Sequence, residues 1–99
     1  VAPTSYDQAV IASKWNDDAK KAITAFKEAL PALDNYVADE IKHTLSAELE
    51  KLGIKMGKVM QALRVAVTGA GAGPDLMLLM EIIGKDAVIQ RLDTALNTL

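Results

Sequence analysis

The chain contains no cysteine, one histidine and few aromatic residues, which make up 4% of its 99 positions. Without cysteine there is no disulfide framework and no thiolate metal site, and this favours a reducing compartment. His43 stands alone among scattered carboxylates, so neither a metal site nor a catalytic site is predicted. The chain is also too short for a two-domain enzyme with its own nucleotide-binding sheet, and we expect one domain.

Long apolar runs are absent as well. The longest, Leu76 to Met80, has five residues, whereas a membrane span needs about 20. No basic-then-apolar signal segment opens the chain, so the sequence predicts no membrane partner. Disorder is not expected either, because 51% of the residues are apolar and the net charge is only −2. The first residue is Val1 rather than Met, from which we expect a processed product or a piece of something longer.

Acidic residues are missing from one stretch in an otherwise mildly acidic chain. Residues 1–50 carry five Lys against nine Asp and Glu, whereas residues 51–99 carry six Lys and Arg against four acids. Nothing acidic lies between Glu50 and Asp75. The cations within that span are Lys51, Lys55, Lys58 and Arg64. Such a stretch could face a polyanion, and the alternative is a set of solvated cations on a helix surface.

Apolar residues recur at spacings of three and four nearly throughout, and no segment alternates with period two. The pattern therefore predicts an all-α fold, a compact bundle of five or six short helices. Ser5 with Gln8 indicates a capping box for the first helix, and Gly53 indicates a left-handed helix stop. The caps expected for the second and third helices are Asp17 or Asp18, and Asp34 or Asn35.

Two segments resemble nucleotide-binding motifs but lack the neighbouring structure that those motifs require. Residues 55–59, Lys-Met-Gly-Lys-Val, look like the signature loop of class I aminoacyl-tRNA synthetases, but that loop works only beside a nucleotide-binding sheet. The glycine run at 69–73 lacks the Gly-Lys-Ser/Thr ending and the preceding strand of a phosphate loop. Its backbone can still approach a ligand closely, and a plain connection between two helices is the alternative.

Residues 52–92 carry a longer pattern. They contain Leu-Gly-Ile-Lys-Met-Gly-Lys-Val-Met-Gln-Ala-Leu-Arg-Val-Ala-Val-Thr-Gly at 52–69, then Gly73-Pro74-Asp75-Leu76, Leu79, Gly84-Lys85 and Arg91-Leu92. This ordered set resembles the C-terminal anticodon-binding domain of bacterial glutamyl-tRNA synthetase. The resemblance implies a helical lead-in at 1–33 and a C-terminal anticodon-binding subdomain at 34–99, packed as one unit.

The same resemblance implies partners and cofactors. The partners are the anticodon loop of tRNA(Glu), rather than DNA, and an N-terminal catalytic domain of the same chain. The parent enzyme would ligate glutamate to that tRNA in the cytoplasm using ATP and Mg²⁺, while this part of the chain holds no cofactor. A helical protein-interaction or assembly module without RNA binding is the alternative, with an exposed Met and Leu face near Met77 and Met80.

The resemblance also implies the anticodon-binding residues, which are Gln61, Arg64, Gly73, Pro74 and Leu76. Gln offers a donor and an acceptor, and Arg offers a planar fork, both suited to base edges. Gly73 lets the backbone come close, while Pro74 and Leu76 offer apolar surface for a base, although Leu76 could equally be a core residue.

Three lysines of the acid-free stretch, Lys51, Lys55 and Lys58, would supply salt-sensitive attraction to the RNA backbone. One position departs from the family pattern, because Ala62 stands where the family has proline. We expect alanine to make a helix from Met56 to Val67 more continuous, which affects the direction of Gln61.

Overall fold

The computed structural model describes residues 6–71 and 73–99, which form six α-helices and two short 3-10 turns, with no strand among them. The helices are α1 (Gln8–Lys14), α2 (Asp17–Ala29), α3 (Ala38–Leu52), α4 (Met60–Thr68), α5 (Leu76–Ile83) and α6 (Lys85–Thr98). The 3-10 turns are Leu30–Ala32 and Met56–Lys58. The radius of gyration is 12.1 Å, close to the roughly 13 Å of a compact 100-residue domain. The predicted all-α bundle is confirmed.

The caps of the first two helices lie beside the predicted residues. Asp7 caps α1 by accepting from the backbone N–H of Ala9 at 3.0 Å, and the predicted Ser5 lies outside the described residues. Asn16 caps α2, while Asp17 and Asp18 occupy its first turn, so the prediction of an aspartate cap there is wrong. In both helices a short side-chain acceptor satisfies an N–H group that has no partner within the helix.

The start of α3 depends on a distant residue. The predicted cap at Asp34 or Asn35 is wrong, because the N-cap position belongs to Val37, which has no side-chain acceptor. Glu81 Oε1 on α5 instead accepts from the backbone N–H of Ala38 at 2.7 Å. The helix ends at Gly53, whose φ of 70° confirms the predicted left-handed stop.

The segment from Met56 to Val67 is divided into a 3-10 turn and α4, so the expectation of a more continuous helix over these residues is wrong. A 3-10 turn closes with Val59 N–H donating to Met56 O at 3.0 Å, and α4 begins only at Met60. Gly57 in the turn and the β-branched Val59 both disfavour continuous helix. Ala62 falls in the first turn of α4, where the N–H has no partner within the helix and a proline would remove no hydrogen bond.

The helices enclose one apolar core. α2 packs against α3 and α6, α5 packs against the same two helices, and α4 packs against α1 and α6. The largest side chains that are fully buried are Phe26, Ile23, Leu30, Ile41, Leu45, Leu63, Leu76, Met80 and Leu92. Helical spacing predicts an inward stripe of Ala22, Ile23, Phe26 and Leu30 for α2, and all four residues are buried. The same spacing predicts Leu52 as the last inward residue of α3, but it is 42% exposed. In the described ranges no helix has the length and apolar character needed to cross a membrane.

Candidate nucleic-acid interface

The glycine-rich connection between α4 and α5 is fixed to the last turn of α4. Gly69 ends that helix with a φ of 83° and donates its N–H to Val65 O at 2.7 Å. The Thr68 hydroxyl donates to Arg64 O at 2.8 Å and accepts from the N–H of Ala70 at 3.2 Å. The beginning of the loop is therefore an ordered continuation of the helix.

Arg64 fixes the other end of the loop. Its Nη1 donates to the carbonyl oxygen of Pro74 at 2.7 Å, a short charge-assisted hydrogen bond. A Cβ on Gly73 would lie 3.3 Å from the same nitrogen, so the absence of a side chain gives the guanidinium its room. Two of the five N–H groups of the guanidinium belong to Nη1, so the bond to Pro74 leaves most of the donors for a ligand.

Gln61 reaches the middle of the same loop. Its Nε2 donates to Gly71 O at a long 3.4 Å, and the side chain is exposed. Gln61 and Arg64 therefore share one face of α4, one turn apart, and both face the loop that contains Gly73 and Pro74. The structure thus places four of the five predicted anticodon-binding residues around one loop, where Arg64 bonds to Pro74 and Gln61 bonds to Gly71.

Leu76 differs from the other four. Only 1% of its surface is exposed, because it lies in the core as the first residue of α5. Of the two predicted interpretations, core residue or base platform, the structure shows the first. Asp75 immediately before it caps α5, and its Oδ1 accepts from the N–H of Met77 at 2.9 Å. Pro74 is exposed, so apolar surface remains available next to Arg64.

The three predicted lysines lie on exposed surface at the end of α3 and around the second 3-10 turn. Lys51 Nζ is 2.9 Å from Glu48 Oε2, an ion pair within one helical turn. Within residues 6–71 and 73–99, no salt bridge involves Lys55 or Lys58. The ammonium groups of Lys55 and Lys58 therefore contribute most of the positive charge in the acid-free stretch that no carboxylate pairs with.

Helix α1 packs against the loop between α4 and α5, a contact that the sequence did not predict. The N–H of Asp7 donates to Gly69 O at 2.8 Å, and a Cβ built on Gly71 would lie 2.6 Å from Val10 Cγ2. Gly71 is thus glycine because α1 packs directly on it. Local sequence patterns do not show that residues about sixty positions apart are in contact, and only the folded structure reveals it.

A cavity of about 380 Å³ opens beside this loop, between α3, the second 3-10 turn and the start of α5. Its apolar wall consists of Met56, Met60, Met77 and Leu78. Its polar lining consists of Asp39, Lys42 and Asp75. Sequence reasoning missed Asp39 and Lys42, because they lie on a helix that precedes the recognisable pattern and reach the site only through tertiary packing.

Other candidate features carry no site. His43 is exposed on α3, and the part of the chain that the structure describes holds no group of three or more His, Cys, Asp and Glu that could bind a metal. The Met and Leu face expected near Met77 and Met80 is wrong as stated, since these residues are 6% and 0% exposed. The exposed apolar residues of α5 are Leu78 at 49% and Ile82 at 79%.

The family model described as "Anticodon binding domain" matches residues 1–96. The chain belongs to this anticodon-binding domain family. It is 52% identical over 99 residues to a glutamate–tRNA ligase of Cytophaga hutchinsonii, with 99% of this chain and 19% of the relative covered. It also matches a crystal structure of a glutamate tRNA ligase from Elizabethkingia meningosepticum with a TM-score of 0.91 and 36% identity. That match covers 100% of this chain and 20% of the other.

A glutamate–tRNA synthetase from Elizabethkingia anophelis matches this anticodon-binding domain with a TM-score of 0.79 and 37% identity, over 99% of this chain and 19% of that one. The domain therefore spans about a fifth of the length of the relatives it matches. The resemblance to the anticodon-binding domains of glutamyl-tRNA synthetases is confirmed. The comparisons favour anticodon recognition over the protein-interaction alternative.

Proposed function

We propose that this anticodon-binding domain reads the anticodon loop of tRNA(Glu) as the C-terminal part of a glutamate–tRNA ligase. The observation that carries the proposal is the single unit formed by Gln61, Arg64, Gly73 and Pro74, in which two side chains of α4 hold a glycine-containing loop. Sequence-specific RNA recognition targets unpaired bases, whose edges need donors and acceptors fixed in space. A helix face joined to a fixed loop supplies both.

The role of each residue follows from its contacts. The donors of Arg64 that are not used on Pro74 would reach a base edge, and the exposed Gln61 amide would donate and accept beside it. Gly73 would contribute backbone groups, and Pro74 an apolar face. Leu76 would act from the core by holding Pro74 in place, since its own side chain is buried.

The exposed lysines would supply the part of the affinity that is independent of sequence. Lys55 and Lys58 would approach the phosphates of the anticodon stem and loop, and Lys51 would do so after exchanging its partner Glu48 for a phosphate. Cations that neutralise phosphates release counterions, so this contribution falls as the salt concentration rises.

The rest of the enzyme would lie in the part of the parent chain outside these residues. A preceding catalytic domain would bind ATP, Mg²⁺ and glutamate and would join the amino acid to the tRNA in the cytoplasm. Residues 1–33 would lead in from that part, and residues 34–99 would form the C-terminal subdomain. The packing of α2 against α3 and α6 supports one unit across this division.

The experiment is aminoacylation of a tRNA(Glu) transcript by the full-length protein that contains this chain, with and without Arg64→Ala. A specific base contact is worth about 1 to 3 kcal/mol, so kcat/KM should fall roughly 5- to 150-fold. Lys21→Ala, at an exposed position on α2, is the control and should leave kcat/KM unchanged. Unchanged kinetics for Arg64→Ala would remove Arg64 from the site.

A further inference from the structure

Arg91 on α6 connects that helix to the carbonyl end of α4. Its Nη1 donates to Val67 O at 3.0 Å, and the contact is partly buried. Val67 is the second-last residue of α4, so its carbonyl is among the last four that lack a partner within the helix. A cation at this end also interacts favourably with the partial negative charge of the helix dipole. Arg91 therefore caps α4 from a neighbouring helix.

The end of α4 that Arg91 caps is also the start of the loop that Arg64 holds. Gly69, two residues after Val67, ends α4 and begins that loop. Arg64 lies three residues before Val67 and donates to the carbonyl oxygen of Pro74 at the far end of the loop. If the last turn of α4 opened locally, both the loop and the helix face that carries Arg64 would move.

The charge of Arg91 is directed at a helix end rather than at a carboxylate. Among the described residues its guanidinium forms no salt bridge, and the nearest acid along α6, Asp93, pairs with Lys27 at 3.0 Å. Arg91 is also half-buried, whereas Lys55 and Lys58 are exposed. This placement favours a role in holding α4 over direct attraction of RNA phosphates.

We propose that Arg91 is a positioning residue for anticodon recognition, which holds the end of α4 so that Arg64 and the loop keep the geometry that discriminates between bases. It does not touch the RNA, so its contribution lies in base discrimination and not in the salt-dependent part of the affinity. Donors discriminate between base edges only when neighbouring contacts fix their positions. The inference rests on the proposed function, because the loop that Arg91 supports belongs to the proposed RNA-binding surface.

The test compares Kd values of the full-length protein for a tRNA(Glu) transcript and for transcripts with one substituted anticodon base. The readout is the ratio of the two Kd values at the position where the wild type discriminates most. Arg91→Met keeps a long apolar side chain but removes the charge and the donor. It should raise the Kd for the unsubstituted transcript about fivefold, lower the ratio by the same factor and leave the salt slope unchanged. Arg91→Lys keeps a charged donor one atom shorter and should recover most of the ratio.

Lys85→Met is the matched control on the same helix. Lys85 Nζ donates to Leu33 O at 3.0 Å, so it also joins a charged side chain of α6 to a backbone carbonyl through a partly buried bond of the same length. Leu33 follows the first 3-10 turn, and α6 rises about 9 Å between Lys85 and Arg91. Lys85→Met should therefore leave the ratio unchanged although it removes a similar contact.

A double-mutant cycle shows whether Arg91 acts through Arg64. In an Arg64→Ala background, Arg91→Met should have little further effect on the ratio, because the side chain that it positions is already missing. Arg91→Gln, whose amide nitrogen stops two atoms short of the position of Nη1, replaces Arg91→Met in every measurement if the methionine variant does not fold.

The possible failures are distinguishable. A ratio that is unchanged in Arg91→Met and Arg91→Gln overturns this inference and leaves the proposed function standing. An equal loss of affinity for all transcripts, with a salt slope lowered by about one, would show that Arg91 contacts a phosphate and also overturns the inference. Equal losses of the ratio in Arg91→Met and Lys85→Met overturn it as well, because they would reflect general destabilisation. A wild-type protein that binds every substituted transcript equally overturns the proposed function too.

Discussion

The guanidinium of Arg64, in the middle of α4, donates a 2.7 Å hydrogen bond to the carbonyl oxygen of Pro74, at the end of the loop that leads to α5. The two residues are ten positions apart, so the bond closes the loop into a ring. Arg64, on the proposed RNA-binding face, thereby holds the loop in position, and its guanidinium charge remains at the surface.

Arg64→Lys separates the geometry of this side chain from its charge. Lysine keeps a positive charge but lacks the planar fork that serves Pro74 and a base edge together, so tRNA affinity should fall about tenfold with an unchanged salt slope. Lys58→Ala is the contrasting variant, and it should lower the salt slope by about one. Both effects are measured as Kd in the full-length protein across a salt series, and a reduced slope for Arg64→Lys would contradict the assignment.

Gly71→Ala tests the contact between the loop and α1. The added Cβ would lie 2.6 Å from Val10 Cγ2 and 3.2 Å from Asp7 Oδ2, so either α1 or the loop must move. Overpacking of this kind costs about 1 to 3 kcal/mol of unfolding free energy, which urea denaturation measures. Gly57→Ala is the matched control, since a Cβ there meets nothing within 4 Å, and its stability should be unchanged or slightly raised. Equal stabilities of the two variants would refute the close approach.

The sequence predicted those parts of the fold that depend on local chemistry. The inward stripe of α2, the stop at Gly53 and the grouping of Gln61 with Arg64 all follow from helical spacing or from glycine's freedom at positive φ. Local signals were insufficient at Val59. The free-energy difference between a 3-10 turn and a continuous helix there is small compared with the free energy of packing the neighbouring helices, so packing decides the conformation.

The rest of the site depended on tertiary contacts. The cap of α3 comes from Glu81, 43 residues after Ala38, and Asp39 and Asp75 line the same cavity only because α3 and α5 pack together. The burial of Leu76 could not be predicted either. An apolar residue at the start of a helix suits a core or a surface position equally well until the positions of the neighbouring helices are known. The sequence pattern within one helix does not predict which residues of another helix it will contact.

Glu81 should matter for stability although it is exposed. Its Oε1 supplies the N-terminal cap that Val37 cannot supply to α3, so Glu81→Ala should lower the unfolding free energy by about 0.5 to 2 kcal/mol. Glu81→Gln keeps an acceptor oxygen and should lose less. Glu28→Ala, another exposed glutamate, controls for the loss of charge. The measurement is urea denaturation, and a neutral Glu81→Ala variant would show that solvent caps α3 equally well.

Tyr36 should make the protein sensitive to alkaline pH. Burial disfavours the phenolate and raises the pKa of Tyr36 from 10.0 to about 12, so the folded state holds its proton where the unfolded chain has lost it. The unfolded state binds fewer protons between these values, and stability is therefore fully present below pH 10 and decreases as the pH rises towards 12. Tyr36→Phe removes this titration and also removes a buried hydroxyl that has no hydrogen-bond partner among the described residues. Its unfolding free energy should fall less steeply than that of the wild type between pH 9 and 12, with Tyr6→Phe as the control. Parallel curves for wild type and Tyr36→Phe would place the hydroxyl in contact with solvent.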